Sequence, residues 1–117
     1  MDIIVTNNPL VEAQYRDMFY IHYNDTDLIG ILTYTRDLVH KGHHLLTHPL
    51  TGSVKPNESP YKSILITGKA EGTDTQSVII IEESMIAVQK FTPRKIPEKY
   101  LSDLQMVDLS LIRSAIK

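Results

Sequence analysis

The chain has 117 residues, with twelve Lys and Arg against fourteen Asp and Glu for a formal charge of −2, and it has no cysteine. That composition excludes disulfides, thiolate catalysis and cysteine-ligated zinc or iron-sulfur centres, and so small a net charge gives no support to a broad nucleic-acid-binding surface. The length fits a single domain over 1–117 with one core; the N-terminus lacks the basic flank and long apolar run of a signal peptide, and no stretch approaches the ~20 apolar residues of a membrane span, so a soluble cytoplasmic protein is expected.

The first element is a short run from Asp2 to Thr6, mostly β-branched and stopped by Asn7-Asn8-Pro9. That pattern suits a strand buried on both faces, and Pro9 suits the first turn of a following helix. From Pro9 to about Asp17 the residues Val11, Tyr15 and Met18 fall at helical spacing, whereas Phe19, Ile21 and Tyr23 alternate with Tyr20, His22 and Asn24 as in a strand. From Thr26 to Lys41, Leu28, Leu32 and Val39 recur on one face, and His40-Lys41-Gly42 places basic residues and then glycine where a helix stops. His44 to Thr47 reads as a third short strand and Ser63 to Thr67, ended by Gly68, as a fourth.

The run Val78 to Ile81 is locally strand-like, but Val78, Ile81, Met85 and Val88 share a helical face, and about Asp74 to Phe91 is too long for a typical strand. A helix is expected there, opened by a capping box of Thr73 and Gln76. A proline-bounded connector, Thr92 to Pro97, leads to a second capping-box spacing at Ser102 and Gln105 and a final helix through Leu104, Val107, Leu111 and Ala115. Alternating strands and helices imply an α/β fold of three layers, with a mainly parallel sheet of about four strands in the order 2-1-3-4 and a C-terminal helix. Apolar residues spread over Ser77 to Phe91 and Leu104 to Ile116 leave room for a homodimer face.

The segment His48 to Lys62 is the richest in chemistry, carrying three prolines, a glycine, hydroxyls, an amide, two lysines and a histidine. Connections that long are uncommon unless they work, and prolines meet part of the ordering cost of a binding loop in advance. In open parallel sheets ligands gather beyond the carboxyl ends of the strands. With strands one and three as neighbours, Asn7, Asn8, His48, Ser53, Lys55, Asn57 and Lys62 converge on one crevice suited to a small anion: phosphate, an acyl phosphate or a carboxylate. The plainer reading is that Asn7 and Asn8 cap a helix, the lysines are solvated, and Tyr61 packs under the loop with its hydroxyl satisfied. No phosphate-loop or dinucleotide fingerprint occurs, and no cofactor is implied. His40, His43, His44 and His48 lie close together, but Gly42 interrupts the helical spacing and no carboxylate lies between Val39 and Asn57, so no metal site is expected. Glu82 and Glu83 fit a solvated helix face.

The string from Val39 to Lys62, together with Ile4 to Pro9, resembles the GrdX family, which accompanies the glycine, sarcosine and betaine reductase systems of amino-acid-fermenting anaerobes. The likeness implies a cytoplasmic accessory protein and carries over no catalytic residue. Glycine reductase chemistry yields acetyl phosphate and ammonia from glycine, which gives the anion site a context. Three readings follow. One is a small accessory protein binding an anionic metabolite at the 48–62 loop; another is an interaction module docking a reductase component. The third is an enzyme with His48 as acid/base and Lys55 or Lys62 stabilising charge.

Overall fold

The computed structural model describes residues 1–50, 55, 57–92 and 94–116. Its elements in chain order are β1 (Ile3–Thr6), α1 (Pro9–Tyr15), β2 (Tyr20–Tyr23), α2 (Leu28–His40), β3 (Ser63–Ile66), α3 (Thr75–Gln89), a single 3-10 turn (Glu98–Tyr100) and α4 (Leu101–Ala115). Ile3 and Val5 of β1 and Ile64 and Ile66 of β3 face a core closed by Leu28, Ile31, Leu32 and Val39 of α2 and Ile81 and Met85 of α3. Ile4 and Leu65 point the other way, onto Val11 and Tyr15 of α1 and Leu109 and Ile112 of α4. The period-two alternation of β1 and β3 thus feeds two apolar cores, which is why both strands are apolar throughout their middle.

The expected four-stranded, mainly parallel sheet in the order 2-1-3-4 does not form. The sheet has three strands in the order β2-β1-β3. Ile3 to Thr6 pairs in parallel with Tyr20 to Tyr23 but antiparallel with Ser63 to Ile66, so the sheet is mixed. The segment read as the third strand contributes one antiparallel bridge, Leu45 to Ile66, on the outer side of β3. Thr67 N–H donates to His44 O and Leu46 N–H to Leu65 O around that bridge. Physically, a parallel neighbour needs a crossover of a dozen or more residues, usually helical, whereas an antiparallel one can be reached by a turn-back. β3 is antiparallel to both of its neighbours, lying between β1 and the 44–47 segment.

The helix ends follow local chemistry. Asn8 caps α1 by accepting from Leu10 N–H, with Pro9 in the first turn, and Asp27 caps α2 by accepting from Gly30 N–H. At the far end of α2, Gly42 adopts φ of 111°, its N–H donates to Val39 O and the N–H of His43 to Leu38 O. This is the Schellman pattern, and the left-handed backbone explains why glycine stands there. The capping boxes differ from expectation. Asp74, rather than Thr73, caps α3 through Ser77, and α4 opens from the 3-10 turn without a side-chain cap, leaving Ser102 inside it. The buried face of α4 also runs through Asp108, Leu109 and Ile112, while Val107 is exposed.

His22 on β2 shares a 2.7 Å hydrogen bond between its Nδ1 and the Tyr34 hydroxyl of α2. Burial, and secondarily the charge of His43, hold the ring's pKa below its ordinary 6.5. The unfolded chain therefore takes up this proton first, so the stability is full above pH 6.5 and is lost as pH falls through 6.5 towards the lowered folded value. Urea unfolding over a pH series is expected to show that loss, and His22→Gln is expected to lessen it.

Candidate functional site

The residues around the carboxyl ends of β1 and β2 and the start of β3 form two separate features, one on each face of the sheet. Between them stands Asn7, which is buried. Its amide nitrogen donates to Thr26 O at 2.8 Å and to Pro60 O at 2.7 Å, while its amide oxygen accepts from Lys62 N–H at 2.9 Å. Asn7 therefore spends its amide on clamping the end of the 48–62 loop to the segment that enters α2. An asparagine is the side chain that can donate twice and accept in such a position.

On the α1/α4 face lies a buried polar knot. Asp108 of α4 accepts from Ser63 N–H at 3.1 Å, from the Ser63 hydroxyl at 2.7 Å and from the Asn8 amide nitrogen at 3.1 Å. Asn8 donates as well to Gln105 O, and the Thr6 and Ser63 hydroxyls are 2.7 Å apart. His48 and Lys62 reach this side, lining a cavity of about 30 Å³ with Thr47, Asp108 and Ile112. That space suits about one water molecule rather than a metabolite. Burial pushes the Lys62 ammonium below the ordinary lysine range, and the neighbouring Asp108 carboxylate opposes the shift.

On the α2/α3 face a groove of about 360 Å³ opens between the start of α2, the end of α3, the 57–60 turn and the connector to α4. Its walls include Leu28, Ile29, Pro60, Val88, Phe91 and Ile96, with Asn57, Ser59, Gln89, Asp27 and Arg94 as polar groups. The volume falls within the range of small-molecule sites, and mostly apolar walls with few polar groups are typical of them. Arg94 and Asp27 form no ion pair with another described side chain. Asp27 uses one carboxylate oxygen to cap α2.

The expected crevice is thus divided. Asn7 and Asn8 are buried structural ties, His48 and Lys62 meet beside Asp108, and Asn57 lines the groove while donating to Thr92 O. Lys55 is exposed, and its carbonyl accepts from Glu58 N–H. Ser53 lies outside the described residues. Tyr61 is half-buried and its hydroxyl accepts from Gln105, while His48 Nδ1 accepts from Leu50 N–H. Among the described residues no cluster of three or more His, Asp or Glu side chains is arranged to hold a metal, and no helix is long and apolar enough to cross a membrane. Sequence reasoning missed Asp108, which reads as a solvated helix residue, and Arg94, which reads as part of a linker.

The match to known families decides the kinship. A family model for GrdX-like proteins matches residues 3–117. The chain belongs to the GrdX-like family. Comparison with the curated proteins and with the solved structures gives no match.

Because three donors converge on one buried carboxylate, Asp108→Ala is expected to cost about 3 kcal/mol or more of unfolding free energy, measured by urea denaturation. Ser63→Ala, which leaves the backbone donor and the Asn8 contact in place, is expected to cost less, about 1–2 kcal/mol.

Proposed function

We propose that this GrdX-like protein is an accessory protein of glycine and betaine reductase metabolism that binds a small carboxylate metabolite in the groove between α2, α3 and the 57–60 turn. The observation that carries the reading is the Arg94 guanidinium, set beside apolar walls with Asn57, Ser59 and Gln89 as further hydrogen-bonding groups. A guanidinium matches a carboxylate bidentately. Asp27 brings a carboxylate to the same groove, which suits a ligand that also carries an ammonium and disfavours a dianion such as phosphate. The 48–62 loop takes part through Asn57 and Ser59 rather than through its lysines. Family membership supports the metabolic setting.

Thermal unfolding against glycine, betaine, acetate, phosphate and acetyl phosphate tests this. A ligand present at 100 times its dissociation constant adds about 2.7 kcal/mol. Glycine or betaine is expected to raise the midpoint, and Arg94→Gln, at an exposed position, is expected to abolish the shift while leaving the unliganded midpoint unchanged. Absence of a shift with every compound removes the proposal.

A second reading, docking of a reductase component, draws on α3. Ile79 and Ile86 stand two turns apart on one side of that helix and are 44% and 58% exposed. Retention of a reductase component by the natural protein and not by Ile79→Ser/Ile86→Ser supports that reading; equal retention by both discards it.

A further inference from the structure

Among the described residues one edge of the sheet is left open. The outer side of β3 is covered by the 44–47 segment through the Leu45 bridge, but among the described residues no strand or bridge pairs with the outer side of β2. The pleat fixes which groups point outward. Tyr20 N–H donates to Asp2 O and Asn24 N–H to Thr6 O, so the even-numbered amides face β1. The amides and carbonyls of Ile21 and Tyr23 consequently face away from the sheet.

Open edges are normally blunted by lysine, proline, a bulge or a covering element. The segment 18–24, Met-Phe-Tyr-Ile-His-Tyr-Asn, contains no Lys, Arg, Asp, Glu or Pro. Met18 and Tyr20 are each 58% exposed and Tyr23 36%. Tyr20 extends on the α2 side with His22, and Tyr23 on the α1 side with Ile21, so both faces flanking the edge offer exposed aromatic surface.

We propose that β2 is the interface through which two copies of this chain join into one continuous six-stranded sheet, β3-β1-β2-β2-β1-β3. A two-fold axis at His22 sets Ile21 opposite Tyr23 of the second copy, and Tyr23 opposite its Ile21. Each copy has two outward amides and two outward carbonyls, so every outward group finds a partner in antiparallel pairing. The strand is self-complementary under that rotation, and with no formal charge it brings no repulsion between copies. This surface is separate from the α2/α3 groove and independent of what the groove binds.

Sedimentation velocity over a wide concentration range, together with amide hydrogen exchange, tests the proposal on the full chain. The natural protein is expected to sediment as a dimer with Ile21 and Tyr23 amides protected. Tyr20→Lys/Tyr23→Lys, which sets like charges on both copies of an exposed edge, is expected to be a monomer with unchanged far-ultraviolet circular dichroism and rapid exchange at those two amides. A natural protein that stays monomeric, a dimer unaffected by the lysines, or a natural dimer in which Ile21 and Tyr23 exchange rapidly overturns it. Should the double variant fail to fold, the exchange of Ile21 and Tyr23 in the natural dimer decides alone.

Discussion

The buried carboxylate of Asp108 is the constraint on which the α1/α4 half of the molecule depends. It gathers the amide and hydroxyl of Ser63 at the start of β3 and the amide of Asn8 at the start of α1, thereby tying α4 to the end of the sheet. A carboxylate taken from water at this depth is tolerated only when its lone pairs are met by donors, and here they are. The cost of burying it is offset by fixing the rotation of α4. With Asp108 turned inward, Leu109 and Ile112 fall against Ile4, Leu65 and Val11, and Val107 is turned to solvent.

Asn7 does on the opposite side of β1 what Asn8 does on this one. Consecutive residues leaving a strand point to opposite faces, so an Asn-Asn pair reaches both halves at once. Asn8 serves α4, and Asn7 binds Thr26, Pro60 and Lys62. The groove exists because of the second clamp. It holds the 57–60 turn beside the entry to α2, and the connector after α3 closes the remaining side with Phe91, Arg94 and Ile96. The chemistry that the 48–62 loop carries in sequence is accordingly shared out: His48 and Lys62 turn towards Asp108, and Asn57 and Ser59 turn towards the groove.

Much of the local structure was legible in the residues. The strand at the N-terminus, the proline-opened α1, the α2 helix with its stop at Gly42 and the helical reading of the Val78 to Ile81 region all follow from periodicity, capping chemistry and the conformational freedom of glycine. These signals are carried by residues within a few positions of one another. The site was less legible. The type of Asn7 and Asn8 pointed to their location but not to their use, since an amide beside a helix start serves a ligand or a cap equally well in sequence. Asp108 was hidden because a lone carboxylate at a helix position reads as solvated unless its donors, 45 and 100 residues away, are known.

What the sequence by itself determined is the four helices and the strands β1, β2 and β3, though not the reduction of 44–47 to a single bridge, together with their two-sided apolar pattern, because propensity, capping and hydrophobic period are local properties of the chain. What only the tertiary structure decided is how those elements pair. Strand direction depends on whether the intervening chain crosses over or turns back, and the same four residues, Ser63 to Ile66, satisfy a parallel or an antiparallel neighbour equally well. The placement of β3 between β1 and the 44–47 segment, the inward turn of Asp108 and the outer position of β2 in the sheet are properties of contacts between residues far apart in sequence. Their free energy appears only once the sheet has closed its two cores.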